Sequence, residues 1–157
     1  MGRLTQHSRG AELQTPHGKD GLVLTAFEGV EELVELFKFN VDALSEEENI
    51  DFDKALGQSC TIKLKAYDGK VRRFDGILTK AQWVGKEDDF FHYRLVLRPW
   101  FWLLGHKADC RNFLDKDVKE ILQEVFTKSG FSDFVFRNTG DYDKIPSYVQ
   151  YRETLLD

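Results

Sequence analysis

Cysteine is scarce in this chain of 157 residues: Cys60 and Cys110 are the only two, and neither sits in a CxxC pair. That excludes a redox dithiol and a cysteine-built zinc site. A structural disulfide is not expected, and Cys60 falls at an inward strand position, where a thiol behaves as a small hydrophobe. Long apolar runs are missing too. None approaches the ~20 residues that cross a bilayer, so no stable membrane anchoring is expected. The opening MGRLTQHSRG has no hydrophobic core of a signal peptide, which argues against general secretion. Histidine occurs four times, at His7, His17, His92 and His106, without HxH or HExxH spacing. GxSxG, GxxxxGK[ST] and GxGxxG are absent as well, so no catalytic residue, metal ligand or cofactor is expected. The carboxylate pairs Asp88–Asp89 and Glu31–Glu32 lie in loop-like or helix-edge stretches and read as solvated groups rather than an acid–base pair. A net charge of -5 argues against nucleic acid as a partner.

Phenylalanine is plentiful, with 13 copies, which favours β structure and large contact surfaces over a helical bundle. The strongest pattern runs from Val71 to Leu104. Apolar residues alternate at Ile77, Thr79, Ala81 and Trp83, and again at Phe91, Tyr93, Leu95 and Leu97, so each run has one buried and one wet face. Matching the faces puts Trp83 opposite Phe91, Ala81 opposite Tyr93, Thr79 opposite Leu95 and Ile77 opposite Leu97, with a loop from Gly85 to Asp89. Before Gly76 the inward parity flips to Phe74, which predicts a β-bulge at Asp75–Gly76.

The remaining strands follow the same logic. Residues up to about Gln14 read as a loose arm with one short edge strand. Leu22 to Phe27 is a strand, Glu28 to Leu36 has helical spacing, and Phe37 to Leu44 alternates with Phe37, Phe39, Val41 and Ala43 inward. Ser45 to Asn49 is an acidic connection. Ile50 to Gly57 reads as a capped helical turn, Ser59 to Tyr67 as a strand, and Asp68–Gly69–Lys70 as a tight turn. After Gly105 an amphipathic helix is expected over Asp117 to Lys128, then a strand at Phe131 to Arg137. A polar loop follows at Asn138 to Pro146, a strand at Tyr148 to Tyr151, and the start of a helix at Glu153. The fold expected is mainly β with an α+β C-terminal part: a small antiparallel β-barrel followed by the start of an α/β subdomain. The boundaries fall at 1–20 for a partly disordered arm, 21–104 for the barrel, and 105–157 for an incomplete, truncated subdomain.

Two features stand out as candidate interface residues. The outward hairpin face carries Lys80 opposite Arg94, with Arg98 farther along. These cations are either simply solvated or meet an acidic surface on another subunit or partner. The cluster Pro99-Trp100-Phe101-Trp102-Leu103-Leu104 reads either as a core plug at one barrel end or as a subunit contact anchored by Trp100 and Trp102. A small-ligand or enzymatic barrel is the rival from another class. It would need convergent polar groups on the inward face, and the inward positions offer almost none.

Several stretches carry a family resemblance. They are Phe27-Glu28-Gly29 with Glu31-Glu32-Leu33 and Leu36-Phe37-Lys38-Phe39; Leu56-Gly57; Phe74-Asp75-Gly76-Ile77-Leu78-Thr79; Tyr93 to Trp100 with Trp102-Leu103-Leu104; Asp109, Arg111 and Phe113; the helix Val118 to Phe126; and Val149-Gln150-Tyr151-Arg152-Glu153-Thr154. In order and spacing the chain from about residue 13 resembles the N-terminal hub region of VgrG, the spike protein family of type VI secretion, itself similar to baseplate hub proteins of contractile-tailed phages. Leu114 and Tyr148 depart from the residues common there, a polar one and a Cys. The resemblance implies a structural part that docks a spike onto the hexameric Hcp tube for contractile delivery of effectors. It implies a homotrimer at full length, and a PAAR tip protein and effectors bound through C-terminal regions beyond this chain. It also implies assembly in the bacterial cytoplasm and export by type VI secretion to the extracellular space or a target cell. The hub of this family has no active site to carry over.

Overall fold

A computed structural model describes residues 4–137 and 140–156. The chain divides into two compact units, Met1–Pro99 and Trp100–Asp157.

The first unit is built from β1 (Ala11–Gln14), β2 (Val23–Val30), β3 (Lys38–Ser45), β4 (Ser59–Lys65), β5 (Val71–Glu87) and β6 (Phe90–Arg98). They form one antiparallel sheet in the order β1-β4-β5-β6-β3-β2, curled around its apolar face as a half-barrel. Alternation decides what goes in. Phe39, Val41 and Ala43 from β3, Cys60 and Ile62 from β4, and Tyr93, Leu95 and Leu97 from β6 are all buried. Each large apolar side chain sealed this way contributes about 1.5–3 kcal/mol. Phe39 is the centre of an aromatic group, stacked on Phe37 at 4.6 Å and edge-on to Phe74 at 5.5 Å. That group explains Gly29: a Cβ there would lie 2.2 Å from the Phe39 ring.

The edge strands β1 and β2 are joined by a side chain instead of a ladder. The buried Gln6 amide accepts from the Leu13 N–H at 2.6 Å and the Leu24 N–H at 3.1 Å, and donates to the Leu13 carbonyl at 3.0 Å. Arg9 donates to the Leu24 carbonyl at 3.1 Å. The arm supplies the one short edge strand expected of it, β1, and also the staple that holds the sheet's two margins together.

The long hairpin exists, but its register differs from the expected one. Trp83 faces Tyr93, Ala81 faces Leu95, Leu78 faces Leu97 and Ile77 faces Arg98, with the pairing slipping between Leu78 and Lys80 and again between Trp83 and Gly85. Each bulge, at Thr79 and at Val84, advances the pairing by one residue. The connection is therefore the two-residue turn Asp88–Asp89, where Asp88 takes a φ of 53°, instead of a loop from Gly85. The parity flip is real but sits at Thr79; β4 pairs with β5 without interruption through Asp75 and Gly76. Gly76 serves a close approach instead, since a Cβ would come within 3.0 Å of the Arg98 carbonyl.

Two further expectations in this unit change, and one holds. No helix forms over Glu28–Leu36: β2 runs to Val30, and Leu33 and Val34 project fully into solvent. Their spacing is helical, but no apolar surface meets the stripe. Ile50–Gly57 holds the single helical turn expected there, with Leu56 N–H bonded to the Phe52 carbonyl at 2.9 Å and Gly57 ending it at a φ of 76°. Trp83, expected inward, is 57% exposed.

The second unit contains a 3-10 helix (Trp100–His106), β7 (Ala108–Lys116), α1 (Val118–Lys128) and β8 (Ile145–Thr154). β7 and β8 pair antiparallel. Leu104, Phe113, Val125 and Phe126 form its core, packed by Trp100, Phe101, Phe131 and Phe134. Asp117 caps α1: its side chain accepts from the Glu120 N–H at 2.9 Å, and Glu120 returns a bond to the Asp117 N–H at 3.0 Å. Phe131–Arg137 is irregular rather than a strand: Phe131 and Phe134 pack on the core while Phe136 is exposed, and among the described residues no strand pairs with it. The helix expected from Glu153 is instead the end of β8, while Asn138, Thr139 and Asp157 lie outside the described residues.

Candidate functional site

Among the described residues no group of His, Cys, Asp and Glu could hold a metal ion. The candidate interface residues lie first on the outer wall of the first unit. Alternation along β6 puts His92, Arg94, Val96 and Arg98 on the wall, and β3 adds Asn40 and Asp42 beside them. From β5, Lys80 lies opposite Val96 and Gln82 opposite Arg94.

Lys80 and Arg94 are therefore not a directly opposed pair of cations, as the unbulged register required. Asp42 decides the electrostatics. One of its oxygens accepts from Arg94 Nε at 3.0 Å and lies 3.2 Å from His92 Nε2. The repulsion among wall cations is thus relieved inside the fold. An ion pair this open to water is worth no more than ~1 kcal/mol. Arg98 Nη1 donates to Thr79 Oγ1 at 3.2 Å, which ties the wall to the bulge residue. Lys80 is exposed and forms no ion pair among the described residues. Reading β6 alone misses Asp42; laying the outward positions of β3 beside those of β6 would have found it.

The two tryptophans belong to the second unit. Trp100 stacks on Phe131 at 4.5 Å and meets Phe126 edge-on at 5.3 Å, inside that unit's aromatic core. Trp102 packs against His106 with ring centres 3.9 Å apart. The three basic candidates thus share one wall, and the two aromatic ones sit in a different unit.

The second unit also brings two motifs face to face. Arg111 of β7 lies opposite Gln150 of β8, Cys110 opposite Tyr151, and Phe113 opposite Tyr148. Arg111 Nε donates to Asp109 Oδ2 at 2.8 Å, and that guanidinium, with the Cys110 N–H, holds the Asp109 carboxyl below the usual carboxylate range. Gln150 Nε2 donates to the Thr154 carbonyl at 3.0 Å, closing the end of the ribbon. Arg152, at a φ of 55°, is the extra residue where the pairing shifts.

The family model of the phage tail baseplate hub (GPD) matches residues 30–157, which includes both of these strands and five of the six strands of the curled sheet wholly or in part. This chain belongs to the phage tail baseplate hub family. Within it, the VgrG spike proteins are close in sequence. The hub chain is 38% identical over 97% of its length to the type VI secretion system spike protein VgrG1a of Pseudomonas aeruginosa, and 36% identical over 98% to VgrG1b of the same organism. It spans 24% and 21% of those relatives, about a quarter of their length. Another match is an actin cross-linking toxin VgrG1 of Vibrio cholerae, 27% identical, of which the hub chain covers 13%. In fold, the hub resembles the E. coli c3393 protein, described as a type VI secretion component structurally similar to T4 tail proteins gp27 and gp5. The TM-score is 0.78 at 21% identity, covering 92% of this chain and 40% of that one. A tail protein from Neisseria meningitidis MC58 matches with a TM-score of 0.57.

Proposed function

We propose that this chain is the N-terminal hub portion of a VgrG-type spike, which docks the spike onto the Hcp tube for contractile delivery of effectors. The observation that carries this reading is the match along nearly the whole chain to VgrG spike proteins, combined with a curled sheet whose interior is filled by Phe39, Leu95, Leu97 and Ile62. Such a part works by shape: it transmits force and presents surfaces, with no chemistry of its own. The docking face is the outer wall with Lys80, Arg94 and Arg98, and it meets acidic groups on the tube. Trp100 and Trp102 act within the second unit, which they help to order. At full length the spike is a homotrimer. Regions outside this chain carry the PAAR tip and the effectors, and the assembly leaves the cell through type VI secretion.

Co-sedimentation with Hcp hexamers tests the docking face. Lys80→Glu is the cleanest variant, because Lys80 has no ion pair to break; Arg94→Gln is added to avoid setting a new carboxylate against Asp42. The double variant is expected to bind about three- to tenfold more weakly, the scale of rim charges. Unchanged co-sedimentation by a folded double variant would remove the wall from the docking surface.

A further inference from the structure

The sheet's inner face continues past the point where its packing stops. At the hairpin tip Trp83 faces Tyr93, on the side that carries Leu95 and Leu97 inward. Tyr93 is 2% exposed, yet Trp83 is 57% exposed. The β3–β4 connection makes the difference. Its Glu47 carbonyl accepts from the Tyr93 hydroxyl at 3.0 Å, the Glu48 carbonyl accepts from the same hydroxyl, and Phe52 meets the Tyr93 ring edge-on at 5.5 Å. The connection closes over Tyr93 and stops short of Trp83, leaving a cleft of about 360 Å³ lined by Glu48, Asn49, Ile50, Phe52, Trp83 and Tyr93.

The floor of this cleft is aromatic and aliphatic, and its rim carries the Glu48 carboxylate. Glu48 lines the cleft, while Glu46, Glu47, Asp51 and Asp53 share its short connection with a single cation, Lys54; among the described residues none of these carboxylates is in an ion pair. An indole face beside carboxylates complements a side chain with a long apolar stem and a cationic head. Arginine fits best, since its planar guanidinium stacks on an indole while its edge donates to a carboxylate. An acidic segment is repelled, and a purely apolar one leaves the rim unanswered.

We propose that the Trp83 cleft binds an arginine-bearing segment of a partner protein. The stem lies against Ile50 and Phe52, and the guanidinium rests on the Trp83 indole with Glu48 as acceptor. This contact is separate from tube docking: the wall calls for an acidic partner, the cleft for a basic one.

The test follows the Trp83 indole N–H resonance, assigned with Trp83→Phe, during titration with the peptide GRLRG, blocked at both ends, and with the control GELEG. A saturating shift with GRLRG alone is expected. Glu48→Gln, an exposed change that spares the core, should weaken binding about three- to tenfold on that resonance, and Trp83→Ala, titrated with the same peptide by isothermal calorimetry beside the unaltered chain, by at least as much. Equal shifts with GELEG would overturn the proposal, as would unchanged affinity in both variants. If the resonance moves with protein concentration in the absence of peptide, a second copy occupies the cleft and the partner segment is ruled out. Trp83→Ala is expected to leave co-sedimentation with Hcp unchanged, so the two readings fail independently.

Discussion

Removing the Gln6 amide leaves the Leu13 N–H, the Leu13 carbonyl and the Leu24 N–H without these partners in a buried seam. A stranded buried backbone group costs about 1–3 kcal/mol, so Gln6→Ala is expected to lower stability by about 2 kcal/mol or more, read as a fall in the urea midpoint at constant slope. Cysteine chemistry provides a second check. Burial pushes the Cys60 thiol up to about 11, while Cys110 is exposed. At pH 8 a thiol reagent should therefore modify one cysteine per native chain and both in denaturant. The inward place of Cys60 was legible from its alternating neighbours. Gln6 was not: a polar residue in a glycine-spaced stretch gives no periodic signal, and its partners lie 7 and 18 positions away.

At the level of elements, what could be read tracks how much apolar surface each strand buries. β3 and β4 alternate cleanly and stand where expected. β7 left no trace, because its inward positions are Asp109, Arg111 and Phe113, so two of three look like surface. The hairpin register failed for a different reason: a bulge inserts a residue without marking it in composition, and Thr79 and Val84 are ordinary strand residues. The helix was legible because cap and stripe agree, and Asp117→Ala should cost about 1 kcal/mol in the second unit's stability. Glu124 adds a pH dependence. Hydrogen bonds from Lys116 and then Lys128 hold its carboxyl down to about 2, against an ordinary 4.5. The folded value is the lower one, so the contribution is full above 4.5 and is lost as the pH falls toward 2. Glu124→Gln should flatten that acid limb when helix content is followed by circular dichroism.

For the whole chain, net charge misleads about contacts. A total of -5 coexists with a wall carrying Lys80, Arg94 and Arg98, so the overall charge does not set the charge of each face. If the wall docks the tube, binding should weaken as salt rises from about 50 to 300 mM, because rim charges are screened within roughly 10 Å. The family was legible in the sequence through motifs that the structure explains one by one. Gly29 makes room for the Phe39 ring, Gly76 permits a close strand approach, and Arg111 and Gln150 face each other across the ribbon.

The Gln6 seam has a mechanical consequence. Where strands pair along a ladder, tension spreads over many parallel bonds; across this join it falls on one amide and the Arg9 guanidinium. A pull applied across the two margins would part them there first and unroll the sheet like a scroll, with β3, β5 and β6 staying zipped until later. Crosslinking position 13 to position 24 should raise the force at which that first opening occurs.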